Sequence, residues 1–117
     1  IQESDIAAFA DLSGDYNPLH TDTGYAASTP FVRPIVHGML LGSLCSALVG
    51  MQLPGKRCLY LSQSLRFKKP VYAGDTVAVH GTVEAKSAVA RVLTIAISIR
   101  RGEEEVAAGE AQVQVVS

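Results

Sequence analysis

Residues 38–49 contain no charged side chain and no polar stripe. A helix that is apolar nearly all round has no face to offer water, so it must be buried on most sides. Gly50 is placed to stop it, and Leu53-Pro54-Gly55-Lys56 to turn the chain away. The rest of the chain must supply the cover. Four later segments alternate apolar and polar residues with period two. In residues 58–68, Leu59, Leu61, Leu65 and Phe67 alternate with Tyr60, Ser62, Ser64 and Arg66. Val77, Val79 and Val83 share a face in residues 76–85, and Leu93, Ile95, Ile97 and Ile99 in residues 91–101. Ala107, Ala111, Val113 and Val115 do the same in residues 106–116. This pattern predicts an antiparallel sheet with one buried face. Turns fall at Ala73-Gly74-Asp75 and Gly102-Glu103-Glu104. The expectation is an α+β chain whose sheet curls around the central apolar helix. One such sheet cannot cover the helix from every direction, so a second copy is expected to bury what remains.

Ahead of that helix, Ser4 is placed to cap a first helix with an apolar stripe of Ile6, Phe9 and Ala10, ending near Ser13-Gly14. Residues 15–20, D-Y-N-P-L-H, then read as turn, because Pro18 biases Asn17 toward extended backbone. Residues 22–27 fit one or two helical turns, and Thr29-Pro30 and Arg33-Pro34 mark a surface loop. The chemistry lies in residues 15–38. Asp15 and His20 stand five positions apart, and a carboxylate beside an imidazole is a common acid–base pair near neutral pH. Gly38 opens the apolar helix, whose first N–H groups can polarise a carbonyl. Acid, base and dipole together suit adding or removing water next to a thioester carbonyl. Taken alone, Asp15 reads as an Asx turn or a helix cap and His20 as a loop residue; the combination favours catalysis.

With 117 residues, nearly half of them apolar, the chain has material for one domain, residues 1–117, with one core. A net charge of −1 argues against nucleic acid as a main partner. The most apolar run, residues 39–49, is too short for a membrane span, which takes ~20 residues. Cys45 and Cys58 form no C-x-x-C pair, and two unlinked thiols suit a reducing cytoplasm. His20, His37 and His80 lack the paired spacing of a metal site, so no metal is expected. His37 reads as structural, and His80 points away from the valine face of its strand. The helix face through Gly38, Gly42, Cys45, Ser46 and Val49 is small-sided and leaves room for an acyl chain. Ser46 and Val49 are the candidate pocket floor.

S-G-D-Y-N-P-L-H at residues 13–20, followed by R-P-I-V-H-G-M-L at residues 33–40, resembles the signature of the MaoC-like hydratases. Within them it is similar to the (R)-specific enoyl-CoA hydratases that feed polyhydroxyalkanoate synthesis. The resemblance continues through L-P-G at residues 53–55, F-K-K-P-V-Y-A-G-D at 67–75 and G-E-A at 109–111. It implies a hot-dog fold, a homodimer with sheets joined edge to edge, and hydration of trans-2-enoyl-CoA to (R)-3-hydroxyacyl-CoA. No metal or organic cofactor is implied, coenzyme A being part of the substrate. By position, Asp15 and His20 match the family's catalytic pair, and Gly38 matches the residue whose N–H binds the thioester oxygen. Asn17 lies inside the same motif, placed to orient the pair or the water. Three small basic clusters, Lys56 with Arg57, Arg66 with Lys68 and Lys69, and Arg100 with Arg101, read first as solvated strand ends. The sharper reading makes one of them a phosphate site for coenzyme A, with Lys68 and Lys69 as the candidates. Family members begin with a short strand, whereas only Ile1-Gln2 precede the first helix here. The rival functions are a hot-dog acyl-CoA thioesterase and a non-catalytic acyl-CoA-binding domain.

Overall fold

In the computed structural model, which describes residues 1–116, α1 (Glu3–Ser13) is capped by Gln2 rather than Ser4. Gln2 and Asp5 form the reciprocal capping box, with the Gln2 N–H donating to Asp5 Oδ2 at 2.8 Å. Ser4 lies inside the helix, where the Asp5 and Ile6 N–H groups both donate to the Gln2 carbonyl, at 3.0 and 3.4 Å. Gly14, at φ 79°, ends α1 in the left-handed conformation that glycine adopts without penalty. The chain then restarts. Pro18 opens α2 (Pro18–Thr21), where its missing N–H costs nothing, and Asn17 caps it. His20 therefore sits on a helical turn, not on a loop. Asp22, read within the short helical stretch of residues 22–27, caps α3 (Thr23–Ala27) from just outside it, accepting the Tyr25 N–H at 3.0 Å.

The apolar helix, α4 (Gly38–Met51), runs past Gly50 and closes at Gln52. Gln52 and Leu53 both donate to the Leu48 carbonyl, at 3.0 and 2.9 Å, and the chain leaves the helix only as Pro54 approaches. Strands β1 (Cys58–Phe67), β2 (Ala78–Ser87), β3 (Val92–Arg101) and β4 (Glu104–Val115) form one antiparallel sheet in the order β1-β4-β3-β2. Leu40, Leu41, Cys45 and Val49 of α4 pack on Ile95, Ile97 and Ile99 of β3 and on Val106, Ala107, Ala111 and Val113 of β4. The expected faces of β2, β3 and β4 point inward. β1 departs from its prediction. Its register against β4 shifts between Tyr60 and Ser62, so Leu61 is an extra residue. Cys58 and Tyr60 face inward before the shift, Gln63 and Leu65 after it, and Leu59 and Leu61 are left exposed. Gln63 accepts the Tyr60 hydroxyl and donates to the Ser64 carbonyl; burial pushes the Tyr60 phenol up to about 12.

One sheet covers one side of α4. The opposite side, with Met39, Ser43, Ser46, Ala47, Gly50 and Met51, is exposed in this single chain. No helix among the described residues is long and apolar enough to cross a membrane.

Candidate active site

The turn between α1 and α2 delivers Asp15, and α2 delivers His20. Asp15 Oδ1 accepts the Asn17 N–H at 3.1 Å, while the Asp15 N–H donates to Ser13 Oγ at 3.1 Å. This is the Asx turn that the sequence around Asp15 suggests, and it leaves Oδ2 without a hydrogen-bond partner among the described residues. Asn17 uses its own side chain to cap α2, accepting the Leu19 N–H at 2.9 Å. Its service to Asp15 thus comes from its backbone. His20 is half-buried, and its Nδ1 lies 2.8 Å from the Ile35 carbonyl. A carbonyl oxygen only accepts, so Nδ1 carries a proton, and in the neutral ring Nε2 holds the lone pair.

His37 completes the group. It is buried, its Nε2 donates to the Asp15 carbonyl at 3.0 Å, and its ring stacks on His20 with centroids 4.0 Å apart. Donor atoms of Asp15, His20 and His37 lie within 4.8 Å of one another. Such a trio has the residue types of a metal site, but one nitrogen of each ring is already committed to a carbonyl. The sequence spacing did not suggest this cluster, and His37 read as structural.

Asp15, His20, His37 and Gly38 line one cleft of about 400 Å³, closed by Phe9, Ser13, Met39 and Phe67. Gly38 is the first residue of α4, and no side chain among the described residues caps that end; the Leu40 N–H turns back to the His37 carbonyl at 3.1 Å, and the Gly38 and Met39 N–H groups are the open donors there. A Cβ on Gly38 would lie 2.9 to 3.1 Å from the Phe67 ring, so the glycine lets that ring close on the helix end. Phe67 was read only as a strand residue; its place in the site depends on a close approach that alternation does not encode. A second cleft, about 330 Å³, shares His20, Gly38 and Phe67 and runs on past Phe31 and Leu41 to Lys68 and Lys69. Lys68 pairs with Glu105, and Lys69 lies 4.0 Å from Glu104. Of the two residues expected on the pocket floor, Ser46 is on the open side of α4 and Val49 is fully buried in the core. Neither lines the clefts that His20 lines.

Residues 1–107 match the model of the MaoC like domain. The chain belongs to the MaoC-like family. An (R)-specific enoyl-CoA hydratase of Aeromonas caviae is 60% identical over 82 residues, a stretch that spans 70% of this chain and 61% of that enzyme. A 3-hydroxybutyryl-CoA dehydratase of Methylorubrum extorquens is 41% identical over 115 residues, 98% of this chain and 73% of the relative. The solved structure of the A. caviae (R)-hydratase involved in PHA biosynthesis superposes with a TM-score of 0.94 at 48% identity, covering 98% of this chain and 88% of that one. The antiparallel sheet curved over α4 is thus the hot-dog arrangement of the MaoC-like hydratases.

Proposed function

We propose that this MaoC-like chain adds water reversibly to trans-2-enoyl-CoA, giving (R)-3-hydroxyacyl-CoA. One observation carries the reading: Asp15, His20 and the uncapped Gly38 end of α4 surround a single cleft. Attack by water at the β-carbon pushes charge onto the thioester oxygen. A donor already aimed there stabilises the enolate-like transition state, and losing one such donor costs about 3 kcal/mol. In this reading the Gly38 N–H is that donor. Asp15 and His20 Nε2 hold the water between them; the pair takes the water's proton as its oxygen bonds the β-carbon, and returns a proton to the α-carbon of the enolate, so that it ends with the protons it began with. A pair on one side of the substrate gives syn addition. The names of the two relatives at 60% and 41% identity support the substrate class.

The thioester is assigned to the residues shared by both clefts, which sends the carrier toward Lys68 and Lys69. Those ammonium groups then meet the phosphates of coenzyme A. The acyl tail is assigned to α4 past Gly42 toward Ser46 on its open side, with Val49 behind it in the core. No step in this scheme calls for a metal or an organic cofactor. A homodimer and a cytoplasmic setting complete the reading, supported by the open side of α4 and by the free thiols of Cys45 and Cys58.

Crotonyl-CoA tests it. The enoyl-thioester absorbance should fall on addition of the protein while no thiol is released. Thiol release would instead identify a thioesterase, and binding with neither change an acyl-CoA-binding domain.

A further inference from the structure

His37 does two things that a residue kept for stability would not. It occupies the N-cap position of α4 without making a side-chain cap bond, where Ser, Thr, Asp or Asn would satisfy a helix N–H. Its Nδ1 is also buried with no hydrogen-bond partner among the described residues. Leaving such an atom unsatisfied opposes folding. The compensation lies in what the ring touches. Nε2 donates to the backbone carbonyl of Asp15 at 3.0 Å, fixing the turn that carries the carboxylate. The ring face stacks on His20 at 4.0 Å and 25°. Its edge meets Phe9, with centroids 4.9 Å apart, so the ring is braced from the α1 side as well. The next residue along the backbone is Gly38. The Val36 N–H donates to the Val71 carbonyl at 2.7 Å, which ties the approach to His37 into the loop before β2.

We propose that His37 is a positioning residue that locks the Asp15 turn, the His20 ring and the Gly38 end of α4 into one arrangement. The inference rests on the hydratase reading for its kinetic consequence, but not for its structural one. The Ile35 carbonyl fixes which nitrogen of His20 carries the proton, and the stacked His37 ring stops His20 from rotating away from that carbonyl. Without the ring, His20 can turn and exchange tautomers, and the Asp15 turn loses its anchor. Displacements of about an ångström at a reacting centre can cost on the order of a hundredfold in rate.

Two variants separate the contacts. His37→Phe keeps a ring to stack and removes both nitrogens. His37→Gln restores a donor and removes the stack. Turnover of crotonyl-CoA and melting temperature are measured on each, together with the 15N-histidine NMR spectrum, which reports the His20 tautomer. For folded His37→Phe, kcat should fall by about thirtyfold or more with KM within about threefold, with no loss of melting temperature. His37→Gln should recover part of kcat but show a mixed His20 tautomer, whereas His37→Phe, which keeps the stacked ring, should show Nδ1–H alone as the native protein does. Folded His37→Phe with kcat within about threefold of native, or folded His37→Gln with an unmixed His20 signal, would overturn the proposal. Should His37→Phe fail to fold, an unmixed tautomer in His37→Gln would by itself overturn it. If the native protein does not hydrate crotonyl-CoA at all, the hydratase reading fails, while the tautomer comparison still decides for or against His37.

Discussion

Asp15 and His20 are assigned to the same water, so the loss of either should remove the whole function of the pair. Asp15→Asn keeps the turn to Asn17 and removes the charge; His20→Gln keeps a donor for the Ile35 carbonyl and removes the titrating nitrogen. Each should lower turnover of crotonyl-CoA by several orders of magnitude with little change in melting temperature. The double variant should be hardly slower than either single one, because groups acting as a unit are not additive. Retention of more than about a tenth of native activity in Asp15→Asn would remove it from the mechanism, since general acid–base terms are typically a hundredfold or more. The closeness of Asp15 and His20 was legible in the sequence because both sit within one short motif. His37 was not, although it precedes the same glycine. Its contacts run to Asp15, His20 and Phe9, which are distant in sequence and brought to it only by the fold.

The loop before β2 is held to the sheet by Asp75. Its carboxylate accepts the Tyr72 N–H at 2.9 Å and Arg101 Nη1 at 2.8 Å, and Arg101 also donates to the Pro70 carbonyl at 2.9 Å. Burial alone would raise the Asp75 carboxyl, but the Tyr72 N–H and the Arg101 guanidinium outweigh it and hold it below the usual carboxylate range. A lowered folded-state value means stability that is full above the unfolded value, about 4, and lost as pH falls through the folded one. Asp75→Asn should therefore cost about 1 to 2 kcal/mol in urea unfolding at pH 7 and much less near pH 2. An equal loss at both would mean that the charge is not what holds the loop. Within α4, Val49 tests the acyl path. Val49→Ala should favour longer enoyl-CoAs and Val49→Phe shorter ones in kcat/KM across a four- to ten-carbon series. Ratios unchanged in both, with a lowered melting temperature, would confine Val49 to the core where it is buried. Strand existence and facing were readable wherever alternation is unbroken, as in β3. β1 was misread because one extra residue, Leu61, reverses the inward set, and a register shift leaves no mark on a list of alternating residues.

The largest-scale expectation was also the first one: a helix without a polar stripe must be covered on most sides. A single copy covers the face bearing Leu40, Leu41, Cys45 and Val49 and leaves Met39, Ser43, Ser46 and Ala47 exposed. Strands β1 and β2 end the sheet with free edges among the described residues, a second feature that a partner copy would resolve. If the open side of α4 faces another copy, Ser46 is enclosed between two chains and the acyl tail has a wall that one chain lacks. Ala47→Glu separates the two situations. On a surface that stays wet, an alanine-to-glutamate change on a helix is worth within about 0.5 kcal/mol. Buried in an apolar interface, an unpaired carboxylate costs several kcal/mol. Sedimentation at micromolar concentration should find the native protein at twice the chain mass and Ala47→Glu at the chain mass, with hydratase activity lost alongside. A native monomer that is fully active, or a dimer untouched by Ala47→Glu, would show that this side of α4 is not where two copies meet.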